Sequence, residues 1–136
     1  MKKIRLFIIL GIISTLLCLG GCEKKGEGAI GKDIDYTVVS EEDIPPELKK
    51  SIDKNKINPF ELSYTDGEFM YLAAGYGEQD SGGFSIQVVA LCEKGEDILF
   101  STNLLGPDES RIVSLKKTTP YIVVKTEKMD RKVVYE

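Results

Sequence analysis

Beyond Phe60 the chain is cut by turn signals into short runs rich in strand-forming residues, and this limits the possible folds more than any other feature. Asp66-Gly67 separates ELSYT from EFMYLAAGY, the strongest kind of two-residue hairpin signal. Residues 69–76 are apolar at both parities, so they are expected to form a central strand covered on both faces. After the glycine pair Gly82-Gly83 comes FSIQVVALC, where Phe84, Ile86, Val88, Ala90 and Cys92 fall on one face at period two. Lys94-Gly95-Glu96-Asp97 reads as a turn into the strand 98–106, and Gly106-Pro107-Asp108 ends that strand because proline cannot donate to a ladder. Residues 111–115 are read as one more short strand, 120–126 as the last well-patterned one, and KVVYE at the end as an edge strand.

Ahead of these runs lie DYTVVS (35–40), a short strand, and EEDIPPELKKSIDKNK, where acidic residues precede prolines that fit only a helix start and lysines gather at the end. Ile44, Leu48 and Ile52 recur at four-residue spacing, one narrow stripe with Lys49, Lys50 and Lys54 as a solvated face. The fold class is therefore mainly β: an antiparallel β-sandwich or small open barrel with one short N-terminal helix, in a single domain over 34–136.

The N-terminus has its own logic. Lys2, Lys3 and Arg5 precede an apolar run that is shorter than the about 20 residues a membrane span needs, the layout of an export signal over 1–21. Leu19-Gly20-Gly21-Cys22 resembles the lipobox of bacterial lipoproteins, which implies a lipid on the Cys22 sulfur and a place on the extracytoplasmic face of the cell membrane. Residues 22–33, polar and glycine-rich, read as a flexible tether.

A cut before Cys22 leaves 115 residues (136 less 21), enough for one packed core. That portion keeps all 22 acidic residues but only 15 of the 18 basic ones, a net charge of −7, which argues against nucleic acid as a partner. Of three cysteines, Cys18 leaves with the signal and Cys22 carries the lipid, so Cys92 has no partner for a disulfide. It is expected to pack as a small buried apolar side chain.

The chain has no histidine, which removes Ser-His and Cys-His nucleophile pairs and the commonest transition-metal ligand. No phosphate-binding loop is present, so no enzymatic activity, cofactor or metal is expected. Asp108-Glu109-Ser110 and Glu78-Gln79-Asp80 lack the alternating spacing of a calcium loop and read as turn acids.

This leaves the loop Glu78, Gln79, Asp80, Ser81, Gly82, Gly83 and Phe84 as the candidate binding feature, since loops on a rigid sheet often carry binding. Locally it reads as a hairpin connection. The run YLAAGYGEQDSGGFSIQV, with NLLGP and TTPYIVVKTEK after it, resembles the PrcB C-terminal domain family over about residues 69–127. The matching positions are Gly75, Gly77, Glu78, Gly82, Gly83, Phe84, Ser85, Pro107, Pro120 and Tyr121. The resemblance implies a membrane-tethered lipoprotein that binds and stabilises other subunits of a secreted protease, a protease or its pro-subunit being the implied partner. More faintly, the loop is similar to one that chagasin-like inhibitors insert into cysteine proteases, and this implies an inhibitor as the alternative.

Overall fold

The structure, a computed structural model, describes residues 31–136. The expected signal, Cys22 and most of the tether lie outside the described residues. Among the described residues, no helix is long and apolar enough to cross a membrane.

Among these residues, seven strands and one α-helix form three layers. Strands β1 (Thr37–Val38), β6 (Tyr121–Glu127), β3 (Phe69–Tyr76) and β2 (Pro59–Asp66) make one antiparallel sheet in that order. Strands β4 (Ser85–Lys94), β5 (Asp97–Leu105) and β7 (Val133–Tyr135) make the second. The sandwich expected from the turn spacing is present, with one departure: β7 runs parallel to β5.

Helix α1 (Pro46–Asn55) follows a 3-10 turn at Glu41–Asp43. Proline at its first position has no N–H to leave unpaired, and the Lys56 N–H closes its other end on the Ile52 carbonyl at 2.8 Å. The stripe Ile44, Leu48 and Ile52 is buried against Tyr71, Ala73 and Val123 of the four-stranded sheet. On the opposite face, Met70, Leu72, Ala74 and Val124 meet Leu91, Ile98 and Phe100 of the second sheet. Strand β3 is thus covered on both sides, which is why it is apolar at both parities.

Two-residue turns close β2–β3 and β4–β5, with Gly67 and Gly95 at φ 61° and 63°, a conformation that costs glycine little. Strand β4 does not keep its expected single face. A bulge lets Val89 drop out of register between Val88 and Ala90, leaving it 60% exposed, and parity inverts beyond it. Leu91 consequently joins Val88 between the sheets, in place of Ala90 and Cys92. Cys92 is a free thiol and only 2% exposed, so it does pack as a buried side chain, though off the expected face.

The N-terminal segment closes one side of the sandwich. Glu93 N–H donates to Lys32 O at 2.8 Å, Ile34 N–H to Leu91 O at 3.0 Å, and the buried Thr126 hydroxyl to Asp35 O at 2.7 Å. Residues 32–35 therefore bridge the edge of β4 to Thr126 of β6. The opposite side, between β2 and β7, has no such strap among the described residues; the Tyr135 hydroxyl crosses it to Leu62 O at 2.7 Å.

Candidate functional site

The loop after β3 does not join paired neighbours. Strands β3 and β4 lie in different sheets, so residues 77–84 form a crossover from one layer to the other, and the hairpin reading is corrected. Gly77, at φ 76°, turns the chain out of β3 where a Cβ would lie 3.0 Å from Pro59 Cδ. Glu78 N–H then donates to Ile57 O at 3.0 Å, holding the crossover to the connection between α1 and β2.

From there a second segment covers the loop. Gln79 N–H donates to Thr118 O at 2.7 Å and Thr118 N–H returns to Gln79 O at 3.0 Å. The Thr118 hydroxyl donates to Ser81 O at 2.7 Å, and Gly82 N–H to Ser114 O at 2.8 Å. Gly83 stands at φ 85° against Val113 and Pro107. Glu78 and Lys117 form an ion pair at 2.6 Å, and the carboxylate raises the Lys117 ammonium above its ordinary pKa. The pair is exposed, so its contribution to stability is small.

The covering segment, 106–119, is the part sequence reasoning missed. The strand expected at 111–115 is absent, and the segment is irregular. Asp108 captures it first: its Oδ1 accepts from the Ser110 N–H at 3.0 Å and the Ser110 hydroxyl at 2.8 Å, while Arg111 N–H donates to Asp108 O at 2.9 Å. A side chain that bonds the backbone two residues on holds a turn and competes with extended pairing. The signal for this is the GPDES string, whose turn-forming Asp108 also decides the conformation of the residues C-terminal to it.

Those bonds from Ser110, the backbone one foremost, hold the Asp108 carboxyl below its ordinary 3.8. A depressed folded-state value stabilises the turn fully above pH 3.8, and that contribution is lost as pH falls through the depressed value. The Ser110 amide resonance should therefore titrate with a midpoint below 3.8 in NMR; a midpoint at or above it would contradict the turn.

Between its two ends the segment exposes Ile112 at 104% and Leu115 at 87%. A single exposed aliphatic residue is ordinary, but two on one tip whose base is hydrogen-bonded to a second loop form a presented apolar knob. Of the expected binding residues, Glu78, Asp80 and Gly83 are exposed, whereas Gln79, Ser81, Gly82 and Phe84 are half-buried beneath the covering segment. A loop held in this way is poorly suited to insertion into a protease cleft. Among the described residues, no group of three or more carboxylates or thiols converges as a metal site.

The ordered set of glycines and prolines now has a physical account. Phe60 and Tyr121 flank Gly75 across the sheet, their rings 6.3 Å apart, and a Cβ on Gly75 would run into the Phe60 ring. The Tyr121 hydroxyl accepts from Lys49 of α1 at 3.1 Å, and Pro120 O accepts from Tyr76 N–H at 3.1 Å. Gly77, Glu78, Gly82, Gly83 and Pro107 build the crossover and its cover. Residues 70–127 match the family model described as PrcB C-terminal.

That segment is similar to PrcB C-terminal domains. The PrcB C-terminal match takes in β3 to β6 with the crossover and its covering segment, and leaves out β1, α1, β2 and β7. No curated protein and no solved structure matches the chain.

The site also has a direction. Residues 31–33 lie beside Cys92 and Glu93, toward the end of β4 opposite Ser85. Ten residues of strand separate the two ends, roughly 30 Å at the usual rise. The crossover and its apolar tip thus sit at the end of the sandwich away from residues 31–33.

Proposed function

We propose that the protein is an exported lipoprotein, anchored through Cys22, that binds another extracytoplasmic protein without catalysis of its own and serves as a subunit that assembles or stabilises a secreted protease complex. Its PrcB C-terminal segment supports the association with a protease complex. The observation that carries the reading is the pair Ile112 and Leu115, fully solvated on a tip fixed to the 78–84 crossover. A short tether running from Cys22 to the far end of the sandwich would direct that tip away from the bilayer, toward a protein partner.

Affinity recovery of the tagged full chain from crosslinked cells, with mass spectrometry and a Cys22→Ala strain as control, tests this. A protease or its pro-subunit is expected at near-stoichiometric amounts. Burying an aliphatic side chain at an interface contributes about 1.5–3 kcal/mol, so Ile112→Asp with Leu115→Asp should weaken recovery more than about tenfold. Undiminished recovery by the double variant would remove the tip from the interface, and recovery of no protease component would overturn the assembly role.

A further inference from the structure

The open side of the sandwich carries a second surface, separate from the tip, whose two edge strands lie outside the matched family segment. Strand β2 is the outer strand of its sheet, eight residues long. Its bonding parity is set by the neighbouring ladders. Tyr76 N–H donates to Pro120 O, so Tyr76, Ala74 and Leu72 turn their backbone groups toward β6, and Gly75, Ala73 and Tyr71 turn theirs toward β2. Their partners Phe60, Leu62 and Tyr64 are therefore the bonded residues of β2. Glu61, Ser63 and Thr65 point N–H and C=O outward.

Strand β7 faces the same opening. Glu136 N–H donates to Phe100 O and Thr102 N–H to Glu136 O, which engages Glu136 with β5 and turns the Tyr135 backbone outward. Between the two edges lies a cleft of about 420 Å³ lined by Tyr76, Phe100, Thr102 and Tyr135 among others, with Glu61 at its mouth. Glu61 is exposed and has no ion pair among the described residues.

We propose that this side is an acceptor for an extended peptide strand, which adds to the edge of β2 and places a lysine or arginine opposite Glu61. Backbone bonds to Glu61, Ser63 and Thr65 would supply affinity irrespective of sequence, and the side chain facing the cleft would supply selectivity. Residues directly opposite on neighbouring strands share a face, so the group opposite Glu61 also faces the cleft. An unpaired carboxylate there, on a chain of net charge −4, selects a basic segment over an acidic one.

Three fluorescein-labelled octapeptides of alternating valine and threonine, with one central residue set to lysine, alanine or glutamate, test the proposal by anisotropy against the full chain. The lysine peptide should bind up to about fivefold tighter than the alanine one and the glutamate peptide weakest. Glu61→Lys should reverse that order. Ser63→Pro removes an outward N–H without touching the β2–β3 ladder, since proline is tolerated on an edge, and should abolish binding of all three while circular dichroism is unchanged. Equal binding of the three peptides, an unchanged order in Glu61→Lys, or undiminished binding to a folded Ser63→Pro variant would overturn it. Loss of binding in the Ile112→Asp, Leu115→Asp variant would do so too, since it would move the contact to the tip.

Discussion

Phe100→Ala should destabilise the protein by about 3–5 kcal/mol, the usual cost of deleting a buried phenylalanine with its cavity left behind. Phe100 is 1% exposed on β5, sits in the cluster between the two sheets, and meets the Tyr135 ring edge-on at a centroid distance of 5.8 Å. Its loss removes packing from β3 on one side and from β7 on the other, and a three-residue strand has little else to hold it. With total stabilities of about 5–15 kcal/mol and a urea slope of about 1–3 kcal/mol/M, the midpoint of urea unfolding should fall by more than about 1 M. A loss below about 1 kcal/mol would mean that the sheets do not meet at this residue.

The strands are legible in the sequence because each carries its own local marks. The Gly67 and Gly95 turns declare the β2–β3 and β4–β5 hairpins, and the two-sided apolarity of 69–76 declares a covered strand. The stripe of Ile44, Leu48 and Ile52 likewise declares the helix face. What is not legible is whatever depends on pairing between distant segments. Gly82-Gly83 would read the same in a hairpin or in a crossover, and only the pairing of β3 with β2 and β6 shows that it is a crossover. The bulge at Val89 sits among Val88, Val89 and Ala90, all apolar, so no residue type announces the change of face. Residues 111–115 are rich in strand-forming side chains, yet Ser114 bonds the crossover at Gly82 and not a sheet edge. The candidate loop stands out in the sequence by its glycines, while its cover is invisible there, because the Gln79–Thr118 and Gly82–Ser114 bonds join segments far apart in the chain.

Gly83→Val puts that cover to the test. At φ 85° a β-branched residue is forced into a conformation L side chains rarely adopt, at a cost of roughly 1–2 kcal/mol. Its Cβ would lie 2.7 Å from Val113 Cγ1 and 2.8 Å from the Pro107 Cβ, an overpacking that adds about 1–3 kcal/mol. Gly95→Val separates the two causes, because Gly95 is at φ 63° with nothing within 4 Å of its Cβ position and bears the backbone cost alone. Chemical denaturation should therefore show Gly83→Val losing more stability than Gly95→Val, and partner recovery should fall in the first and hold in the second. Equal losses would mean that 106–119 swings away freely and that Ile112 and Leu115 are not held in place. A larger loss for Gly83→Val with recovery intact would keep the cover as architecture and take the crossover out of the interface.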